Sequence, residues 1–148
     1  MAVTMKDVRA ELDREEPKYE EAARLGSEAL PFLEELVKGQ DVMLASKAAY
    51  LASMIKGDRS AKILIEAASH PDAVVRVAAA SGLRNLSEHD AGRVLDKLAA
   101  DGDQGVRKVA VKSVAGFRSP EMVARVQRIA EKDPEPFIRE IASRSVQK

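Results

Sequence analysis

Few residues in this 148-residue chain have types and spacings that could do chemistry. His70 and His89 could ligate a metal or take a proton, but neither has a carboxylate or second histidine at ligand spacing. Ser53-Met54-Ile55-Lys56 matches the Ser-x-x-Lys phrase of acyl-transfer enzymes. Its companion motifs are missing and Ile55 falls at a core position, so chance accounts for the match. Asn85-Leu86-Ser87 is a glycosylation sequon, which matters only in a secreted protein. Gly102-Asp103-Gln104-Gly105 is too short to cradle a phosphate and reads as a turn before a helix. The absence of cysteine removes disulfides, thiolate metal sites and Cys nucleophiles together. The expectation is a protein that binds, with no catalytic residues, no metal and no cofactor.

Such a protein must present a surface, and the chain says how that surface is built by repeating itself. The stretch from Asp72 to Leu86 recurs 31 positions later from Asp103 to Phe117. It recurs 31 positions earlier as Asp41-Val42-Met43-Leu44, with Ala48, Leu51 and Ile55 behind it. A further copy, Glu135-Pro136-Phe137-Ile138-Arg139-Glu140-Ile141-Ala142, lies one residue out of register, with Pro134 as the insertion. Upstream of each copy Leu33, Leu64, Leu95 and Val126 keep the same spacing of 31. Each unit therefore holds two apolar-periodic segments, A and B. At about 100° per residue, Ala79, Gly82, Leu83 and Leu86 fall within roughly 80° of Val75, which is one helical stripe. Ala79 and Gly82 make it small enough for a neighbouring helix to approach closely. A fixed period of this kind is the signature of a stacked helical array.

The units read as residues 26–57, 58–88, 89–118 and 119–148, preceded by an acidic cap over residues 1–25 that holds two short helices broken before Pro17. Ser27, Ser87 and Ser119 are candidate caps of A helices, and Asp41, Asp72 and Asp103 of B helices. Charge is split along the chain. Residues 1–41 carry eleven acids against six bases, a net of −5, in a chain whose overall net charge is zero. Lys and Arg dominate the late units, and segment 104–118 has four bases and no acid. No apolar run approaches a membrane span and the start lacks a signal-peptide core, so a cytoplasmic setting is expected.

Asp-x-x-Val-Arg-x-x-Ala, met at Asp72, Val75, Arg76 and Ala79 and again at Asp103, Val106, Arg107 and Ala110, resembles the HEAT-repeat family. In particular it resembles the family's short form of about thirty residues, related to the repeats found in bilin lyases. Ala45 stands where the Arg belongs and Glu135 where the Asp belongs. The resemblance implies an all-α, right-handed superhelix of about four short hairpins, with B helices lining the concave face. The Arg76, Arg107 and Arg139 column then reads as an inter-repeat ladder rather than an anion site, since the planar guanidinium fork suits buried pairing. On the concave face the candidate partner-binding residues are Tyr50, Met54, Arg84, Lys108, Lys112 and Arg144, with Tyr50 singled out as an exposed aromatic. The expected function is a monomeric, non-enzymatic scaffold that takes a protein or peptide with an acidic segment. Alternatives are a bilin-lyase-like chaperone or subunit of a modifying enzyme, which the shortage of aromatics disfavours, and nucleic-acid binding through the basic late units, which neutral net charge disfavours.

Overall fold

The computed structural model describes residues 2–147 and, among these, contains helices and no strand. The cap is α1 (Met5–Leu12) and α2 (Tyr19–Ala22), the latter running into a 3₁₀ turn at Ala23–Leu25. Four hairpins follow: α3 (Leu30–Val37) with α4 (Val42–Met54), α5 (Asp58–Ala68) with α6 (Ala73–Gly82), α7 (Glu88–Leu98) with α8 (Gln104–Ser113), and α9 (Pro120–Lys132) with α10 (Pro136–Val146). Odd-numbered members (α3, α5, α7, α9) stack on one another as the A layer and even-numbered members as the B layer.

Local chemistry sets most of the helix starts. Asp41, Asp72 and Asp103 accept from Leu44 N (3.0 Å), Val74 N (2.8 Å) and Val106 N (3.1 Å), which satisfies donors left free at the first turn of each B helix. Ser87 and Ser119 do the same for Asp90 N and Met122 N, both at 3.2 Å. Thr4 and Asp7 form a reciprocal capping box on α1. Ser27 does not cap α3, contrary to the sequence expectation. Gly26, at φ 75°, turns the chain into a 3₁₀ turn over Ser27–Ala29, and α3 starts only after it.

Between the layers lies one continuous core of Leu, Ile, Val and Ala, with Val8 and Leu12 of the cap closing its N-terminal end. The B helices meet through small residues: Ala48, Ala49, Ala52, Ala79, Ala80 and Ala110 are all fully buried. At Gly82 the approach is closest, since an added Cβ would stand 2.7 Å from Ser53 Cβ on α4. The B helices α4, α6 and α8 contact one another more extensively than the A helices do, whereas α8 and α10 are no more closely engaged than the A helices.

The arginine column ties unit to unit. Arg76 Nε donates to Asp101 Oδ2 in the next unit's loop (2.8 Å), and its Nη1 donates to the carbonyls of His70 and Pro71 in its own loop (2.9 Å each). Arg107 repeats this with Asp133 Oδ2 (3.0 Å) and Asp101 O (2.9 Å). The acids engaged are loop residues two positions before the capping position, and each also accepts a backbone N–H two residues on: Asp101 from Asp103 N and Asp133 from Glu135 N, both at 2.9 Å. Arg139 keeps only the bond to its own loop, at Asp133 O (2.6 Å). In unit one the Arg position is Ala45. The matching loop position holds His70, whose Nδ1 accepts from Asp72 N (2.9 Å) in place of an Asp carboxylate.

On the A layer, Glu34 of α3 and Glu66 of α5 bring two carboxyls together, with Lys62 and Lys38 at 3.5 and 3.7 Å from Glu34 Oε2. Burial, and then the hydrogen bond Glu66 donates to Glu34, holds the Glu66 carboxyl above the ordinary carboxylate range. Accepting that bond, with help from Lys62 and Lys38 against its own burial, holds Glu34 below it.

Two outcomes test this packing. A Lys at Ala79 would place an unpaired ammonium in a fully buried position, and the Ala79→Lys protein should lose at least about 4 kcal/mol and its single cooperative melting transition. Calorimetry within a degree or two of the parent would refute the stacking register. For the carboxyl pair, the contribution of Glu66 is present at low pH and is lost as pH rises through its raised folded pKa. Glu66→Gln never has to ionise, so it should melt above the parent at pH 7 to 8. That advantage should shrink as pH falls toward the unfolded carboxyl value, read from melting temperatures across pH 4 to 8.

Candidate protein-binding face

Lys108 lies two positions, and Tyr50, Lys112 and Arg144 six positions, beyond the first core residue of their B helices and opposite the buried stripe, while Arg84 stands in the 3₁₀ turn Leu83–Asn85 after α6 and Met54 ends α4. Arg84 and Lys112, on neighbouring units, are exposed and together line an open cleft of about 330 Å³ with Ser113, Gly116 and Phe117. Tyr50 and Met54 line a second cleft, of about 440 Å³, with Lys18, Tyr19, Glu20 and Glu21 of the cap. Lys108 lies half-buried with its Nζ 5.9 Å from the centre of the Phe137 ring, a cation–π distance. Arg144 pairs with Glu140 on its own helix at 2.7 Å, with both side chains more than half exposed. The six residues thus share a face but not one pocket: a basic cleft, a tyrosine cleft and two flanking cations.

Tyr50 departs from its expected exposure. It is half-buried and meets Tyr19 edge-to-face, with ring centroids 4.9 Å apart at 74°. This contact docks the cap on α4. Desolvation, and then the neighbouring Tyr50, raises the Tyr19 phenol above its ordinary value. Sequence alone could not pair two tyrosines 31 positions apart across the cap boundary.

The other chemistry-bearing residues are accounted for structurally. Ser53 Oγ donates to Tyr50 O (2.5 Å) and accepts from Asn85 Nδ2 (3.0 Å), while Lys56 is exposed, so no Ser–Lys dyad forms. His89 lies inside α7 rather than in a loop, because Ser87 caps that helix early. His70 is a turn residue. Among the described residues no group of three or more His, Asp or Glu is placed to hold a metal, and no helix is long and apolar enough to cross a membrane. A cleft of about 250 Å³ between α7 and α9 lies on the other layer, where Arg125 is held by Asp96 (2.9 Å) and Asp133 by Arg107.

Sequence reasoning missed one row. Among the described residues the exposed large hydrophobics are Met43 (61%), Val74 (47%) and Phe137 (40%). All three occupy the same repeat position, one residue before the first core residue of a B helix, and Gly105 takes that place in the third unit. The position lies about 100° from the stripe, on the side of Lys108 and Lys112. Recurrence of an apolar residue at the repeat period but outside the stripe was the available signal.

Two stacked layers of antiparallel helical hairpins, joined by repeated loop contacts, define an α-solenoid. Residues 61–147, more than half of the chain, match the sequence profile of HEAT repeats, and the chain belongs to the HEAT-repeat family. HEAT repeats generally serve as protein-interaction scaffolds. No curated protein matches the chain.

Tyr50→Ala should remove about 0.5–1.5 kcal/mol of aromatic pairing beyond the lost burial, and should free the cap before the array. Hydrogen exchange should then speed up in α1 and α2 while α6 and α8 keep their protection. Uniform loss across all helices would show that the tyrosine pair does not act locally.

Proposed function

We propose that the protein is a monomeric, non-enzymatic interaction module that binds an acidic protein segment along its B-helix face, in a cytoplasmic setting consistent with a chain that has no cysteine. The observation that carries this reading is the cleft shared by Arg84 and Lys112. Both cations are exposed on neighbouring units, and neither takes part in an ion pair among the described residues. Three other arginines of the array, Arg76, Arg107 and Arg125, have carboxylate partners within 3.0 Å. A carboxylate-bearing partner would complete the cleft, and Lys108, on the same helix as Lys112, extends the same attraction, with Arg144 available once it exchanges Glu140 for the partner. Solvent-exposed charges act mainly on the rate of encounter and are screened beyond about 8–10 Å at physiological salt, so they steer a partner more than they hold it.

The test is binding of a labelled Asp/Glu-rich peptide to the parent and to a Lys108→Glu/Lys112→Glu double variant. The variant should keep its helical circular dichroism and bind at least about tenfold more weakly, chiefly through slower association. Unchanged binding would refute the basic-face reading. Duplex DNA run in parallel should be released as salt rises, because only a few phosphate contacts are available. Tight retention of DNA at 200 mM salt would replace the protein-binding reading with nucleic-acid recognition.

A further inference from the structure

The row Met43, Val74, Phe137 is the part of this face that charge does not explain. Three exposed hydrophobics at one repeat position, with none elsewhere among the described residues, form a line along the array rather than a scatter. The line has a measurable period. Adjacent packed helices lie about 8–10 Å apart, so Met43 and Val74 are one such step apart, and Val74 and Phe137 two. A helix laid along the row advances about 10.5 Å in seven residues and returns nearly the same face each time. An extended strand repeats its face every two residues, at about 6.6 Å, or every four, at about 13 Å, and matches neither. Only a helical partner keeps step with the row.

Charge fixes the partner's flanks. On the C-terminal side of the row stand Lys108 and Lys112 in the third unit, and Glu140 and Arg144 of the fourth neutralise each other at 2.7 Å; on the N-terminal side stand the cap acids Asp41, Asp72 and Asp103 with Glu135. A helix is about 10–12 Å across with its side chains, so one flank falls over each set. Resting on the B-face reading, we propose that the occupant is an amphipathic helix. Its apolar residues sit at i, i+7 and i+21 against Met43, Val74 and Phe137, and its acidic flank is turned toward Lys108 and Lys112. The vacancy over Gly105 accepts a large apolar residue at i+14. Lys108, lying over the Phe137 ring, joins the two halves of the site: its stem extends the apolar row and its ammonium meets the acidic flank. Because the opposite flank faces acids, the partner helix has one permitted direction along the array.

The probe is a labelled synthetic helical peptide of about four heptads with Leu at i, i+7, i+14 and i+21, Glu on one flank and Lys on the other. It is compared with a peptide of the same composition whose leucines leave that spacing, and with one whose flank charges are exchanged. Fluorescence anisotropy should show saturable binding of the first peptide and at least about tenfold weaker binding of the other two, with helical circular dichroism gained on mixing. Met43→Ser/Val74→Ser/Phe137→Ser should also lose at least about tenfold in affinity while keeping the helical circular dichroism and a cooperative melting transition, since none of the three is a buried core residue. Equal binding of the in-step and out-of-step peptides, or an unaltered affinity of the triple variant, overturns the proposal. If the triple variant binds as the parent while the Lys108/Lys112 reversal abolishes binding, the basic-face reading stands and the helical occupant falls. If the triple variant loses binding and the reversal has no effect, the apolar row stands and the electrostatic reading falls.

Discussion

Neighbouring B helices touch through alanine and glycine, and this close approach is the constraint on which the rest of the structure depends. Ala48, Ala49 and Ala52 of α4 face Ala79, Ala80 and Gly82 of α6, and at Gly82 even a methyl group would collide with Ser53. Close-packed interiors do not absorb such an excess without displacing backbone. The stacking of these units brings Arg84 of one unit and Lys112 of the next onto a single cleft.

The arginine ladder depends on the same spacing. Arg107 and Asp133 have side chains 9% and 3% exposed, so each would be an uncompensated buried charge without the other. A buried pair of this kind adds little net stability over apolar residues of equal size, but it penalises any slip of one unit against the next. The pattern of loss supports that role. Where Ala45 replaces the arginine, His70 replaces the loop acid, and the histidine retains only the local task of accepting the Asp72 N–H. The local and inter-unit functions of the loop residue are therefore separable, and the second is present only where an arginine asks for it.

A stack in which every unit packs on the next presents a surface that is largely formed beforehand, which would lower the ordering cost of the association proposed above. On that surface the clefts, the cations and the row of Met43, Val74 and Phe137 are held at spacings set by helix packing rather than by loop conformation. Tyr50 belongs to a different part of the design. By holding Tyr19 it closes the N-terminal end, with Val8 and Leu12 buried beneath it.

The sequence by itself determined the architecture of this protein. The 31-residue period, the Asp caps at Asp41, Asp72 and Asp103 and the small stripe at Ala79 and Gly82 depend on short-range chemistry and on the helical repeat, so they are legible along the chain. The arginine column was legible as a ladder, but not its partners, because Asp101 and Asp133 lie about one unit downstream and compete with nearer capping acids. Tertiary structure alone decided which exposed positions share a surface. It withdrew Tyr50 into a contact with Tyr19, divided the six candidate residues between two clefts and two flanking cations, and left Met43, Val74 and Phe137 uncovered. Exposure is a property of what packs over a residue, and in a stacked array the covering atoms come from another unit.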